Sequence, residues 1–235
     1  MSADQSMRIA VALAREILKG REARLCGACA GILAVSGAGI SIMSEQHSGR
    51  MCVSNTRMEA LEELQFTLGE GPCQDAYAAG APIVVPDFGP HASARWPAFV
   101  AEAVAVGVQS VFAYPLQNQG ATVGVLTLYQ DTPGAMSPTR SEECLAVADV
   151  LAQTLISLIK CSPPGTLPAG LDDAVTHRAE VHQAAGMVSV QLGVSVAAAL
   201  VVLRAHAYAH GQAVSVVAAD IVARRLRLDD REKDK

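Results

Sequence analysis

Residues 177–228 read HRAEVHQAAGMVSVQLGVSVAAALVVLRAHAYAHGQAVSVVAADIVARRLRL, and their punctuation decides how the chain is built. Val181, Ala184, Ala185, Val188 and Leu192 recur at helical spacing, which predicts a helix over 177–192. Gly193 stops it, and Ser195 is placed to cap a second helix through its hydroxyl. That helix lines up Leu200, Leu203 and Ala207 before Gly211. A third sets Val214, Val217, Ala218, Ile221 and Val222 on one face and is expected to end in the basic run Arg224-Arg225-Leu226-Arg227. Short amphipathic helices in succession must bury their stripes against one another, so a small helical domain is expected over 172–235.

Upstream, Cys161 to Gly170 holds three prolines and two glycines, and residues 161–171 read as a linker. The preceding 1–160 alternate between periods. A helix is expected over 6–30, with Ile9, Leu13 and Ile17 on one stripe. Strands follow at 39–43 and 51–54, a helix at 58–67, the turn 68–73, a helix to 79 and a strand at 82–85. The loop 87–96 leads to a helix at 97–106. A hairpin then turns at Asn118-Gln119-Gly120 between strands 109–117 and 121–130, and helix 139–160 closes the segment. This order predicts an α+β (α/β) domain on a central, mostly antiparallel sheet. Cys144, Ala148, Leu151, Leu155 and Leu158 form a heptad-like stripe on the closing helix. Such a stripe packs on its own sheet or forms a seam with a second copy; with Ile9, Leu13 and Ile17 contributing, the homodimer seam is the favoured reading.

Of the 235 residues 51% are apolar and 17% charged, enough for a filled core. The first residues lack a signal-peptide pattern and there is no run of eighteen apolar residues, so a cytoplasmic protein with no membrane contact is expected. On that basis the six cysteines are expected to be reduced, and Cys26-Gly-Ala-Cys29 to be small buried residues on a helix leading into a strand. Residues 172–235 carry eight Lys or Arg against eight Asp or Glu, while 1–171 carry ten against fifteen and hold all of the −5 net charge. Composition alone does not suggest nucleic acid.

The words QAAGMVSVQLGVS, AAL, LRAHAYAHG and VVAADIVARRL within 183–226 do. They resemble the ANTAR domain, an RNA-binding transcription-antitermination module of bacterial regulators. GAGISIM, LGEGPCQDAYAAGAPIVVPDF, RWPAFVAEAVAVGVQSVFAYPL, GVLTLY and ECLAVADVLAQTLISLI resemble a GAF sensor domain, in the form joined to ANTAR in actinobacterial regulators. Together they imply a GAF–ANTAR antitermination regulator that binds paired stem-loops in a nascent mRNA leader as a homodimer. The resemblance implies ligand or redox control through the sensor.

Arg204 and Tyr208 stand one turn apart, and a guanidinium beside a phenol suits the stacking and edge contacts by which unpaired bases are held. Arg178 and His182 make a second such pair, and Arg224 and Arg225 are candidates for phosphate contact. In the sensor, Gly69, Gly71, Cys73 and Trp96 are the expected walls of a pocket for an unidentified small molecule; no other cofactor is expected. The Gly186 position matches the family's glycine and is read as allowing close approach of a neighbouring helix. His206 and His210 share zinc-ligand spacing, but no HExxH accompanies them and no metal site is expected. No Walker, GxSxG or GxGxxG pattern is present, so no enzyme is expected. Two alternatives stand beside this reading: a helical tail that docks on a protein partner, and a methionine sulfoxide reductase working through Cys73.

Overall fold

In a computed structural model the described residues are 11, 22–43, 48–161 and 171–228. After helix α1 (Glu22–Leu33) come strands β1 (Gly37–Met43) and β2 (Ser48–Val53), then helices α2 (Thr56–Leu68) and α3 (Pro72–Ala79). Strand β3 (Ile83–Val85) precedes α4 (Pro90–Arg95) and α5 (Pro97–Ala105); β4 (Ser110–Asn118) and β5 (Ala121–Gln130) form the expected hairpin. Helix α6 (Pro138–Cys161) closes this part, and α7 (Leu171–Leu192), α8 (Val196–Ala209) and α9 (Val214–Val222) follow. The short α4 lies in the segment expected to be loop, where Pro90 supplies the first-turn residue a helix tolerates without an N–H.

The sheet runs β2-β1-β5-β4-β3 with every neighbouring pair antiparallel. Alternation along the strands gives it two buried faces. Ala38, Ile40, Phe112, Tyr114, Leu126 and Leu128 meet α1 and α6. The opposite face packs against α2, α3 and α5 through Met58, Leu61, Ala76, Phe99 and Val100. Two expectations are corrected on the first face. Leu151 and Leu155, expected at a dimer seam together with Cys144 and Ala148, are buried against the protomer's own sheet, so their apolar area is already spent. Cys26 is not a reduced thiol: it forms a disulfide with Cys52 that ties α1 to β2, the α-carbons 5.8 Å apart. Cys29, Cys73 and Cys144 are buried thiols. Ile9, Leu13, Ile17 and the Leu158 side chain lie outside the described residues.

Helices α7, α8 and α9 bury the predicted stripes together, with Val181, Ala184, Val188, Ala199, Leu203, Ala207, Val214, Val217 and Ile221 inside. Ser195 caps α8 by accepting from the Ala198 N–H at 3.2 Å. Gly186 is a correction: a methyl group there would meet nothing within 4 Å among the described residues, so none of their helices approaches it closely. The helical unit is not isolated, because α2 of the sheet domain packs on α8 and α9, and α7 lies along the edge strand β2.

Candidate nucleic-acid interface

The turn LGEGPC organises the seam between the two parts. Gly69 ends α2 in the left-handed region at φ +68, its N–H bonded to the Gln65 carbonyl. Glu70 then accepts from the N–H groups of Ala98 and Phe99 at 3.1 and 3.0 Å, capping α5, which has no side-chain cap of its own. Gly71 leads into α3, and the Cys73 N–H donates to Gln65 Oε1 at 2.8 Å. Three helix ends meet within five residues, which fixes where the C-terminal half of α2 points.

It points at the helical unit. Phe66 is buried in the cluster formed by α7, α8 and α9, not in the core of its own domain. One residue on, Thr67 Oγ1 accepts from the Val214 N–H at 3.3 Å. Helix α9 starts at Ala213 without a side-chain cap, so Thr67 satisfies one of its orphan donors. Ser215 Oγ donates to Glu63 Oε1 at 3.2 Å, which sets a carboxylate at the positive end of the same helix.

Arg204 and Tyr208 lie along this seam. The Arg204 guanidinium packs over Gly69, at the carbonyl end of α2 where a cation is favoured; a side chain at Gly69 would collide with it. Arg204 is half-buried and its Nε is fully so. Tyr208 keeps 45% of its surface exposed and leans over a cleft of about 320 Å³ walled by Glu63, Thr67, Glu102 and Gln212. The two residues that sequence spacing pairs are thus on one seam: Arg204 packs on the sheet domain at Gly69, and Tyr208 lines a cleft shared with it.

The other candidates are scattered. His182 is exposed on α7, and the side chain of Arg178 lies outside the described residues. The basic run is not the end of a helix, since α9 stops at Val222 and Arg224 turns left-handed at φ +59. Arg225 is held by Asp220 at 2.7 and 2.8 Å, while Arg224 is exposed. His206 and His210 stack at 4.1 Å, and among the described residues no group of three or more metal-binding side chains occurs.

In the sheet domain, Trp96 is 4% exposed, its indole N–H donating to Asp75 Oδ2 at 3.2 Å under the Arg95 guanidinium. Gly69, Gly71, Cys73 and Trp96 serve as caps and core around one junction. Polar atoms that sequence spacing does not single out lie on α2, the helix that Gly69 ends. On the sheet face that meets α2, Ser41 Oγ donates to Glu62 Oε2 at 2.5 Å, with Glu62 only 2% exposed. Glu62 Oε1, Gln65 Nε2 and Thr127 Oγ1 are buried there without a protein partner. Glu62 and Gln65 one turn apart was the sequence signal, hidden because both look like solvent-facing residues of a helix. Burial pushes the Cys29 thiol up to about 12 and the Cys144 thiol up to about 11, the latter against a hydrogen bond to Tyr114 that lowers it. Neither is a ready thiolate.

Family comparison matches residues 3–155 to the GAF domain and residues 169–222 to the ANTAR domain. Among solved structures, the GAF domain of Acinetobacter phosphoenolpyruvate-protein phosphotransferase is 14% identical with a TM-score of 0.52, covering 70% of this chain and 99% of that one. The GAF domain of the Coxiella burnetii phosphoenolpyruvate-protein phosphotransferase is 17% identical, also with a TM-score of 0.52, covering 67% and 96%. Among curated proteins nothing matches.

Proposed function

Because the chain belongs to the GAF domain family over its first two-thirds and carries an ANTAR domain behind it, we propose that it is a signal-responsive regulator that binds RNA and causes transcription antitermination. The carrying observation is the α8 shoulder: Arg204 and the half-exposed Tyr208 stand together on a closed helical unit. Their planar groups offer stacking and hydrogen bonding to unpaired bases, at about 1–3 kcal/mol per stacked base. His182, Arg224 and, with its side chain outside the described residues, Arg178 extend the contact; Arg225 would first have to leave Asp220.

With zero net charge over 172–235, one such unit gains little from phosphates. Two units linked in a homodimer, each on one of a pair of stem-loops in an mRNA leader, gain by effective concentration. Leu151 and Leu155 being buried, Ile9, Leu13, Ile17 and Leu158, which lie outside the described residues or have side chains there, stay as the seam proposed for that dimer. Holding both loops keeps a terminator from forming and lets transcription continue in the cytoplasm, as in the actinobacterial regulators the chain resembles.

The signal enters through the sensor, by a small molecule or by redox change. A ligand beside the junction of Gly69, Gly71, Cys73 and Trp96 finds an acceptor in Glu62 Oε1 and a donor in Gln65 Nε2, both buried and unmatched. The attached helical unit speaks against a cysteine-dependent reductase. Gel shift of a two-hairpin RNA is the test. Arg204→Ala and Tyr208→Ala are each expected to weaken binding about tenfold or more, and unchanged binding by both removes this face from the account.

A further inference from the structure

We propose that helix α2 of the sensor and RNA compete for one surface, the α8–α9 corner, so that the arrangement in this structure is the closed form of the regulator. The proposal rests on the RNA reading above and adds how it is switched.

Four contacts from seven consecutive positions, the end of one helix with its cap, make the closed form. Glu63 meets Ser215, Phe66 fills the helical unit's core, Thr67 caps Val214, and Gly69 receives Arg204. The electrostatics match at both ends: the carbonyl end of α2 takes the Arg204 cation, and the amide end of α9 takes the Glu63 carboxylate. An RNA base stacked on Arg204 would need the space above it that Gly69 now fills, and a base reaching on to Tyr208 would enter the cleft that Glu63, Thr67 and Glu102 wall from the sensor side.

The seam is also incomplete in a way that suits release. A cleft of about 320 Å³ lined by Glu102, Thr67, Tyr208 and Gln212 lies open along it. The sensor's end of the device lies on the same helix. Glu62 and Gln65 face the sheet with unmatched polar atoms, while Glu63, Phe66 and Thr67 face the helical unit. A ligand that pairs with Glu62 or Gln65 therefore pulls on the helix that covers Arg204. When a binding-competent form is only a fraction of the population, apparent affinity falls by that fraction.

The test uses the full chain. Glu63→Lys combined with Thr67→Val breaks the polar clamp on α9, and Phe66→Ser removes the wedge by a separate route. Solution scattering reads opening as a larger radius of gyration, and titration of a two-hairpin RNA reads affinity. The expected result is that either variant expands and binds that RNA at least tenfold more tightly than the unaltered chain. Equal RNA affinity in the unaltered chain and an expanded variant overturns the competition while leaving the RNA reading intact. An unchanged radius in both variants overturns the contact as a releasable one. No RNA binding by the unaltered chain or by any expanded variant strikes the RNA reading itself, and the competition falls with it.

Discussion

The Val214 N–H, at the start of the last helix, donates to Thr67 Oγ1 across 147 positions of sequence, so one domain supplies the cap that the other lacks. Helix N-caps are worth about 0.5–2 kcal/mol, enough to link the stability of α9 to docking on the sensor. Thr67→Val keeps the volume and removes the acceptor. Hydrogen exchange at the Val214 amide should speed up by about tenfold, with exchange in β1 and β5 unchanged. Loss of protection throughout the sheet would mean that Thr67 acts on its own core instead.

Gly186 sits inside α7 with open space where a side chain would go. Glycine costs about 1 kcal/mol relative to alanine in a helix interior. Gly186→Ala is therefore expected to stabilise the helical unit by about 0.5–1 kcal/mol, read as a higher melting temperature for the far-ultraviolet signal of full-length protein. Destabilisation would reinstate the close-approach reading that the structure replaces.

The Cys26–Cys52 disulfide closes a separation of 26 positions between α1 and β2. Cross-links over loops of this size contribute about 3 kcal/mol by restricting the unfolded chain. Urea denaturation with and without a dithiol reductant should show a loss of about 2–4 kcal/mol, and Cys26→Ser/Cys52→Ser should match the reduced value. No difference between the two conditions would show that the bond does not form in solution.

Burial raises the Cys29 thiol to about 12 from an ordinary value near 9. Between those values the unfolded chain releases a proton that the folded chain keeps, so stability falls as pH rises. Below about 9 this group contributes no slope. Denaturation at pH 8, 9, 10 and 11 should show a decline from about pH 9 upward, at most about 1.4 kcal/mol per unit. Cys29→Ala should flatten part of it; an identical profile in that variant would place the cause elsewhere.

Much of the architecture could be read from the chain alone, because local signals agreed. Gly193, Ser195 and Gly211 punctuate the last three helices as their chemistry demands, and the Asn118-Gln119-Gly120 hairpin falls where the turn residues put it. Most of what the chain hides is non-local. Nothing near Cys26 in sequence announces Cys52 as its partner, because the disulfide depends on how α1 crosses the sheet. Leu151 and Leu155 carry the same spacing whether a stripe meets its own sheet or a second copy. The basic run was placed on a helix because periodicity does not register that Arg225 turns back to Asp220. At the candidate site, spacing pairs Arg204 with Tyr208, whereas Gly69, which covers Arg204, belongs to a domain more than a hundred positions away.

The most direct measurement is a hydrogen-exchange footprint of a two-hairpin RNA on the full-length protein. The account predicts that RNA slows exchange across residues 204–216, the end of α8 and the first turn of α9, and speeds it in the second half of α2, residues 63–69. Protection confined to the sheet domain, or an α8–α9 corner whose exchange is the same with and without saturating RNA, would contradict it.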